Sequence, residues 1–215
     1  MSRSELTEAA NLALACEARF RRNTAALART APDLADLARR TPVVVTYLGR
    51  ARDGAVACRL ETAGGERVWV GGTVVPRAAA RQMVRTLALP AVGHVFLAPL
   101  NGAYCLAPLM AVTNPHQHLF VLERDVDLFV GTLMVTEIWD ALDTGRVHLF
   151  VGEHLDRQLR EFLETHPQYA VPEHLVTTST RPETVAAYRA VVNGATARVG
   201  PDWMNRLERR LDDAA

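Results

Sequence analysis

The first segment with a clear period is residues 4–29. Leu6, Ala9, Ala13, Cys16, Phe20, Asn23 and Leu27 recur at alternating steps of three and four, the spacing of a coiled-coil seam. Glu8, Arg21 and Arg22 fall on the opposite face. The pattern predicts one long helix whose seam is covered by its own domain or by a second subunit. Asn23, the polar position in the seam, is placed to fix register or to cap the chain's exit. Pro32 is suited to open a further short helix over Asp33–Arg39. The period then changes. Val43–Leu48 is β-branched, Asp53-Gly54 is a turn signal, Val56–Leu60 reads as a partner strand, and Gly64-Gly65 turns the chain into Val68–Val70. These runs predict a three-stranded antiparallel meander.

From Pro76 the pattern alternates between helix and strand. A helix is expected from Pro76 to Leu87, with Ala79, Met83, Val84 and Leu87 on its apolar face. Continuous apolar runs at His94–Ala98, Leu119–Leu122 and Arg146–Val151 read as strands buried on both sides, and Glu173–Thr178 as a fourth. Between them lie helical patterns over Ala103–Val112 (with Pro108 as its weak point), Val126–Leu133 behind an Asp125 cap, Thr136–Leu142, Leu155–Leu163 and Glu183–Val192. Strands alternating with helices predict a mainly parallel, Rossmann-like α/β sheet with right-handed crossovers. The fold class expected is thus α/β, a Rossmann-like sheet preceded by an N-terminal helix and a small meander. The division expected is 1–75 for helix and meander, 76–200 for the α/β domain and 201–215 for a helical tail or linker, with Trp203, Leu207 and Leu211 on one stripe.

Composition narrows the class without naming a function. Apolar residues make up 49% of the 215 and charged residues 22%, ordinary for a globular chain and unlike a disordered one. Basic and acidic residues balance at 24 each, which favours neither nucleic acid nor an anionic membrane surface. No run approaches the ~20 apolar residues of a membrane span, and the start of the chain lacks a signal-peptide core, so a cytoplasmic location is expected. Cys16, Cys58 and Cys105 have no CxxC spacing and read as small buried hydrophobes.

Candidate chemistry gathers behind the first apolar strand. Gly102 and Glu123 are 21 residues apart, close to the spacing between the glycine turn and the acidic ribose partner of a nucleotide-binding βαβ unit. Asn101 and Gly102 are candidates to offer backbone N–H groups to an anion, and Glu123 to accept ribose hydroxyls. The turn Ala98–Ala103 holds one glycine where a full fingerprint has three. Pro99 and Leu100 obstruct a nucleoside, which predicts a narrow or filled crevice. His116 and His118 share a face if Pro115–His118 is extended, yet no acidic or Cys partner lies near in sequence, and no metal is expected. His148 reads as a hydrogen-bonded core or edge histidine, and Thr177–Thr180 as a hydroxyl-rich loop at a strand end. Catalytic residues remain unknown, since no Ser-His-Asp order, paired acids or P-loop is visible.

Several of these short motifs together resemble a known family. Phe20, Asn23, Leu27, Pro32 and Leu34 in RFRRNTAALARTAPDL, the Asp53-Gly54 meander, Pro76, Phe120–Glu123 and Gly145–Gly152 are similar to the N-terminal domain of the bacterial motility accessory factor glycosyltransferases, relatives of the 6-hydroxymethylpterin pyrophosphokinase-like proteins. The resemblance implies a non-catalytic Rossmann-like module of a flagellin or nonulosonic-acid glycosyltransferase system, acting in assembly without a cofactor of its own. Its implied partners are a second copy or a downstream glycosyltransferase domain, with neither nucleic acid nor membrane. The alternative is a small S-adenosylmethionine-dependent methyltransferase-like or nucleotide-binding enzyme, with S-adenosylmethionine or a nucleotide sugar as ligand.

Overall fold

A computed structural model describes residues 3–72, 74–89, 91, 93–169 and 173–199. The tail stripe of Trp203, Leu207 and Leu211 lies outside the described residues. The fold is mixed α/β, with a three-stranded antiparallel sheet and a four-stranded parallel one. Two compact units emerge. One takes Met1–Ala88, Leu100–Val112 and Asp125–Val147; the other takes Leu89–Pro99, Thr113–Arg124 and the described residues from His148 on.

In the first unit, α1 (Arg3–Thr30) leads into α2 (Pro32–Arg40), which carries Pro32 at its first position. The meander follows as β1 (Val44–Arg50), β2 (Val56–Glu61) and β3 (Arg67–Val70), in spatial order β1-β2-β3. Its inner face meets α1 in a cluster of Leu12, Cys16, Val56, Cys58, Leu60 and Val70. The expected seam holds from Cys16 onward, but Ala9 and Ala13 are exposed and Leu12 is buried in their place; the side chain of Leu6 lies outside the described residues. A straight helix turns every 3.6 residues, so a 3.5-residue stripe drifts off the contact line over three or four turns. α3 (Pro76–Arg85) buries Pro76, Ala80 and Val84, while Ala79, expected on the inner face, is exposed. α4 (Leu106–Val112) starts three residues later than its apolar pattern, so Pro108 falls in its first turn, where no N–H is needed. α5 (Val126–Val135) begins at Asp125, whose carboxylate accepts from the N–H groups of Asp127 (2.8 Å) and Leu128 (3.1 Å). α6 (Trp139–Asp143) is a short turn of helix behind it. Gly131 brings α5 against the meander, because a Cβ there would lie 2.5 Å from a Leu60 methyl.

The second unit is the parallel sheet. Its strands β4 (His94–Ala98), β5 (Leu119–Glu123), β6 (Val147–Val151) and β7 (Glu173–Thr177) stand in the order β6-β5-β4-β7. β4 is parallel to both neighbours, pairing Phe96 with Phe120 on one side and with Leu175 on the other. Counted within this sheet the order is 3-2-1-4, the first four positions of the doubly wound 3-2-1-4-5-6 order, with its switch point between β4 and β7. Phe96, Ala98, Phe120, Leu122 and Phe150 pack on α7 (Leu155–Thr165) and α8 (Pro182–Val199) through Leu155, Leu159, Leu163, Tyr188 and Val192. The alternate residues Val95, Leu97, Leu119 and Val121 are also shut off from solvent, which explains the unbroken apolar runs.

Candidate functional site

The turn behind β4 is built on residues that special backbone geometry requires. Asn101, Gly102 and Ala103 all take positive φ, at 28°, 82° and 53°. Asparagine tolerates that region, glycine has no cost there, and alanine is held in it at about 1 kcal/mol or more. The hydrogen bonds around them supply the constraint. Gly102 donates its N–H to the Thr132 hydroxyl at 2.9 Å, and the Thr136 hydroxyl donates to the Gly102 carbonyl. Thr132 of α5 and Thr136, which caps its C-terminus, thereby grip both sides of one residue. The Asn101 side chain accepts from the Gly71 N–H at 3.1 Å. A Cβ on Gly102 would lie 2.8 Å from the Gly71 Cα, so this glycine permits backbone-to-backbone packing inside its own unit. The N–H that anion binding at Gly102 calls for is already spent.

Glu123 belongs to the parallel-sheet unit and closes β5. It is 2% exposed, so its carboxyl is held away from solvent. The Tyr188 hydroxyl of α8 lies 3.5 Å from Oε1 and accepts from the Arg124 N–H at 3.1 Å. Burial, followed by the charge of Glu123, pushes the Tyr188 phenol far above its ordinary range, so it stays a neutral donor. At the switch point the Thr178 N–H donates to the Ala98 carbonyl (3.2 Å) and its hydroxyl to the Pro99 carbonyl (2.7 Å), which continues the β4–β7 pairing past the strand ends. Ser179 accepts from the Arg181 N–H at the head of α8. The Thr178 and Ser179 hydroxyls are thus engaged by backbone.

At the opposite, amino end of the sheet lies a cluster that the sequence reading did not assemble. His118 Nδ1 and His148 Nε2 are 2.9 Å apart in hydrogen-bonding contact, and their rings stack with centroids 5.1 Å apart. His94 Nδ1 accepts from the His118 N–H at 3.1 Å. Tyr169 packs on His94, His118 and His148, and Phe162 on His148. Burial, then the neighbouring His118, His166 and His94, push His148 down to about 4, and burial lowers His94 as well. Pro115–His118 is not extended: Asn114 turns the chain by accepting from the His116 N–H, leaving His116 exposed and His118 in the cluster. Among the described residues no group of three or more His, Cys, Asp or Glu is placed to hold a metal ion.

The three cysteines are buried free thiols. Burial pushes Cys58 up to about 12 and Cys105 up to about 11, and raises Cys16, so none is a nucleophile near neutral pH. α3 and α4 flank a cleft of about 540 Å³ lined by Arg77, Arg81 and Arg85 on one side and by Ala107, Pro108 and Ala111 on the other. These arginines recur every fourth residue in RAAARQMVR, a charge pattern legible in the sequence but not among its candidates.

The solved structures supply a counterpart for this architecture. The chain is similar to a MAf glycosyltransferase. That enzyme, from Magnetospirillum magneticum AMB-1, superposes with a TM-score of 0.62 over 84% of this chain at 18% identity. At that identity the likeness shows the fold. The chain spans about a third of the enzyme's length (35%). No protein-family profile and no curated protein sequence matches it. The relation to pterin pyrophosphokinase-like proteins rests on the short motifs alone. Among the described residues no helix is long and apolar enough to cross a membrane.

Proposed function

We propose that this chain is a non-catalytic, Rossmann-like accessory or assembly module of a flagellin or nonulosonic-acid glycosylation system, cytoplasmic and bacterial. The observation that carries the reading is the turn behind β4, whose Gly102 N–H and carbonyl are taken by Thr132 of α5 and by Thr136 at its C-cap. A nucleotide-binding turn keeps such groups for phosphate. The fold likeness to a segment of a MAf glycosyltransferase supports the system in which the module works. Its partner is a second copy or a downstream glycosyltransferase domain. The outer face of the meander supports an assembly role, because Val44, Tyr47 and Trp69 are exposed large apolar residues there.

The competing reading is a small enzyme that holds S-adenosylmethionine or a nucleotide sugar. It keeps one argument, the position of Glu123 at the end of the second strand of a 3-2-1-4 sheet. Calorimetric titration with S-adenosylmethionine and a cytidine-monophosphate sugar separates the two. The accessory reading expects dissociation constants above ~1 mM, about 4 kcal/mol of binding. Micromolar binding that is lost in Glu123→Gln would overturn it.

A further inference from the structure

The cleft between α3 and α4 has two unlike walls. Arg77, Arg81 and Arg85 line one of them at steps of four residues. Successive arginines therefore emerge from the same face about 6 Å apart along the helix axis, and the row spans about 12 Å. None of the three forms an ion pair with a described carboxylate. Glu137, the acid among the lining residues, is engaged by Arg19 at 3.3 Å. The facing wall is largely apolar: Ala107 and Ala111 are exposed, Ala103 is buried, and Tyr104, Pro108 and Val112 extend the surface. Val112 is 56% exposed, an apolar side chain left uncovered at the groove's rim.

We propose that this groove docks an acidic amphipathic α-helix of a partner protein. A helix carrying carboxylates at every fourth residue repeats at the same ~6 Å as the arginine row, so several guanidinium–carboxylate pairs form in register when the axes run nearly parallel. Guanidinium forks favour such carboxylates with two parallel hydrogen bonds. The alanine wall lets the incoming backbone approach closely while the partner's apolar stripe seats between the helices. A single small anion would engage one end of the row and leave the apolar wall uncovered. The docking does not require the module to lack catalysis, so this proposal and the accessory reading fail independently.

The probe is a fluorescent helical peptide of about 16 residues, with a leucine stripe flanked by glutamates at every fourth position, read by anisotropy against the full chain. Binding in the tens of micromolar is expected at about 50 mM salt, weakening about tenfold or more at 500 mM. Arg81→Ala with Arg85→Ala is expected to cost about tenfold or more, and the same peptide with lysine in place of glutamate to bind as weakly. Ala107→Glu, at an exposed position, blocks the groove independently of the arginines, and circular dichroism checks that each variant is folded. Equal binding of the two peptides, indifference to the arginine and Ala107 substitutions, or no binding at ~1 mM overturns the proposal. So does displacement of the peptide by inorganic phosphate or uridine diphosphate at lower concentration than the peptide's own, which assigns the groove to a small anion.

Discussion

Asn23 makes three hydrogen bonds at a helix end that its own neighbours leave open. Its amide donates to the carbonyls of Leu133 (2.7 Å) and Thr136 (2.8 Å), and its oxygen accepts from the Ile138 N–H (3.0 Å). α1 is thereby fixed to the last turn of α5, whose terminal carbonyls have no helical partner. Asn23 is fully buried, so Asn23→Ala strands polar groups where water does not reach. A loss of about 3 kcal/mol is expected in urea unfolding, and a loss under about 1 kcal/mol would refute the assignment. Asn23→Asp is expected to be no better, since it sets a carboxylate against two carbonyls. Gly102→Ala acts by a different route. The added Cβ meets Gly71 backbone at 2.8 Å, at a φ of 82° that alanine disfavours, and backbone cannot swing aside as a side-chain tip can. A loss of about 2 kcal/mol or more is expected, without any change in ligand affinity.

Among the elements, the parallel sheet carries the pH dependence. His148 has its folded value lowered from 6.5 to about 4, so the neutral ring is the form the fold accepts. The unfolded chain takes up the proton first. Stability is therefore full above about pH 6.5, declines as pH falls toward 4, and loses nothing further from this group below that. The ring is only partly buried, and the loss expected is on the order of 2 kcal/mol. His148→Phe keeps an aromatic ring beside Phe120 and Phe162 and removes this titration, so the slope of its unfolding free energy across that window should fall to the smaller part that His94 supplies. A slope equal to that of the parent chain would place the dependence elsewhere. A second remote contact works at an element end: α3 lacks a side-chain cap from Val75 and takes one from Asp53, which accepts from the Ala78 N–H at 3.0 Å. Burial pushes that carboxyl up, but backbone N–H groups led by Ala78 and Ala55 outweigh it and hold it below the usual range.

At the scale of the whole molecule, the meander's outer face is what assembly has to explain. β1 is an edge strand with a bulge between Val45 and Tyr47, and Tyr47 meets Trp69 edge-on at 5.3 Å. If a second copy covers this face, sedimentation should depend on concentration, and Tyr47→Ser with Trp69→Ser should yield a monomer. A monomer at every concentration in the parent chain would overturn the second copy as the partner.

Hydrophobic periodicity alone determined nearly every element, because each must bury one face or both. The apolar run at His94–Ala98 coincides with β4, and Asp125 caps α5 as a local carboxylate next to free N–H groups does. What tertiary structure decided was the use of polar groups. Asn23 reads as an odd residue in a seam until α5 brings its open carbonyls 110 residues away in sequence. Gly102 sits at a ligand turn's spacing, yet only folding puts Gly71, Thr132 and Thr136 around it. His94 opens β4, His148 lies in β6 and His118 immediately precedes β5, and they meet only because the three strands lie side by side. The interleaving of the two units was equally hidden, since contacts rather than composition assign α4, α5 and α6 to the unit of the meander. Local pattern reports what a residue avoids, which is water; a hydrogen bond needs a partner that only the fold can deliver.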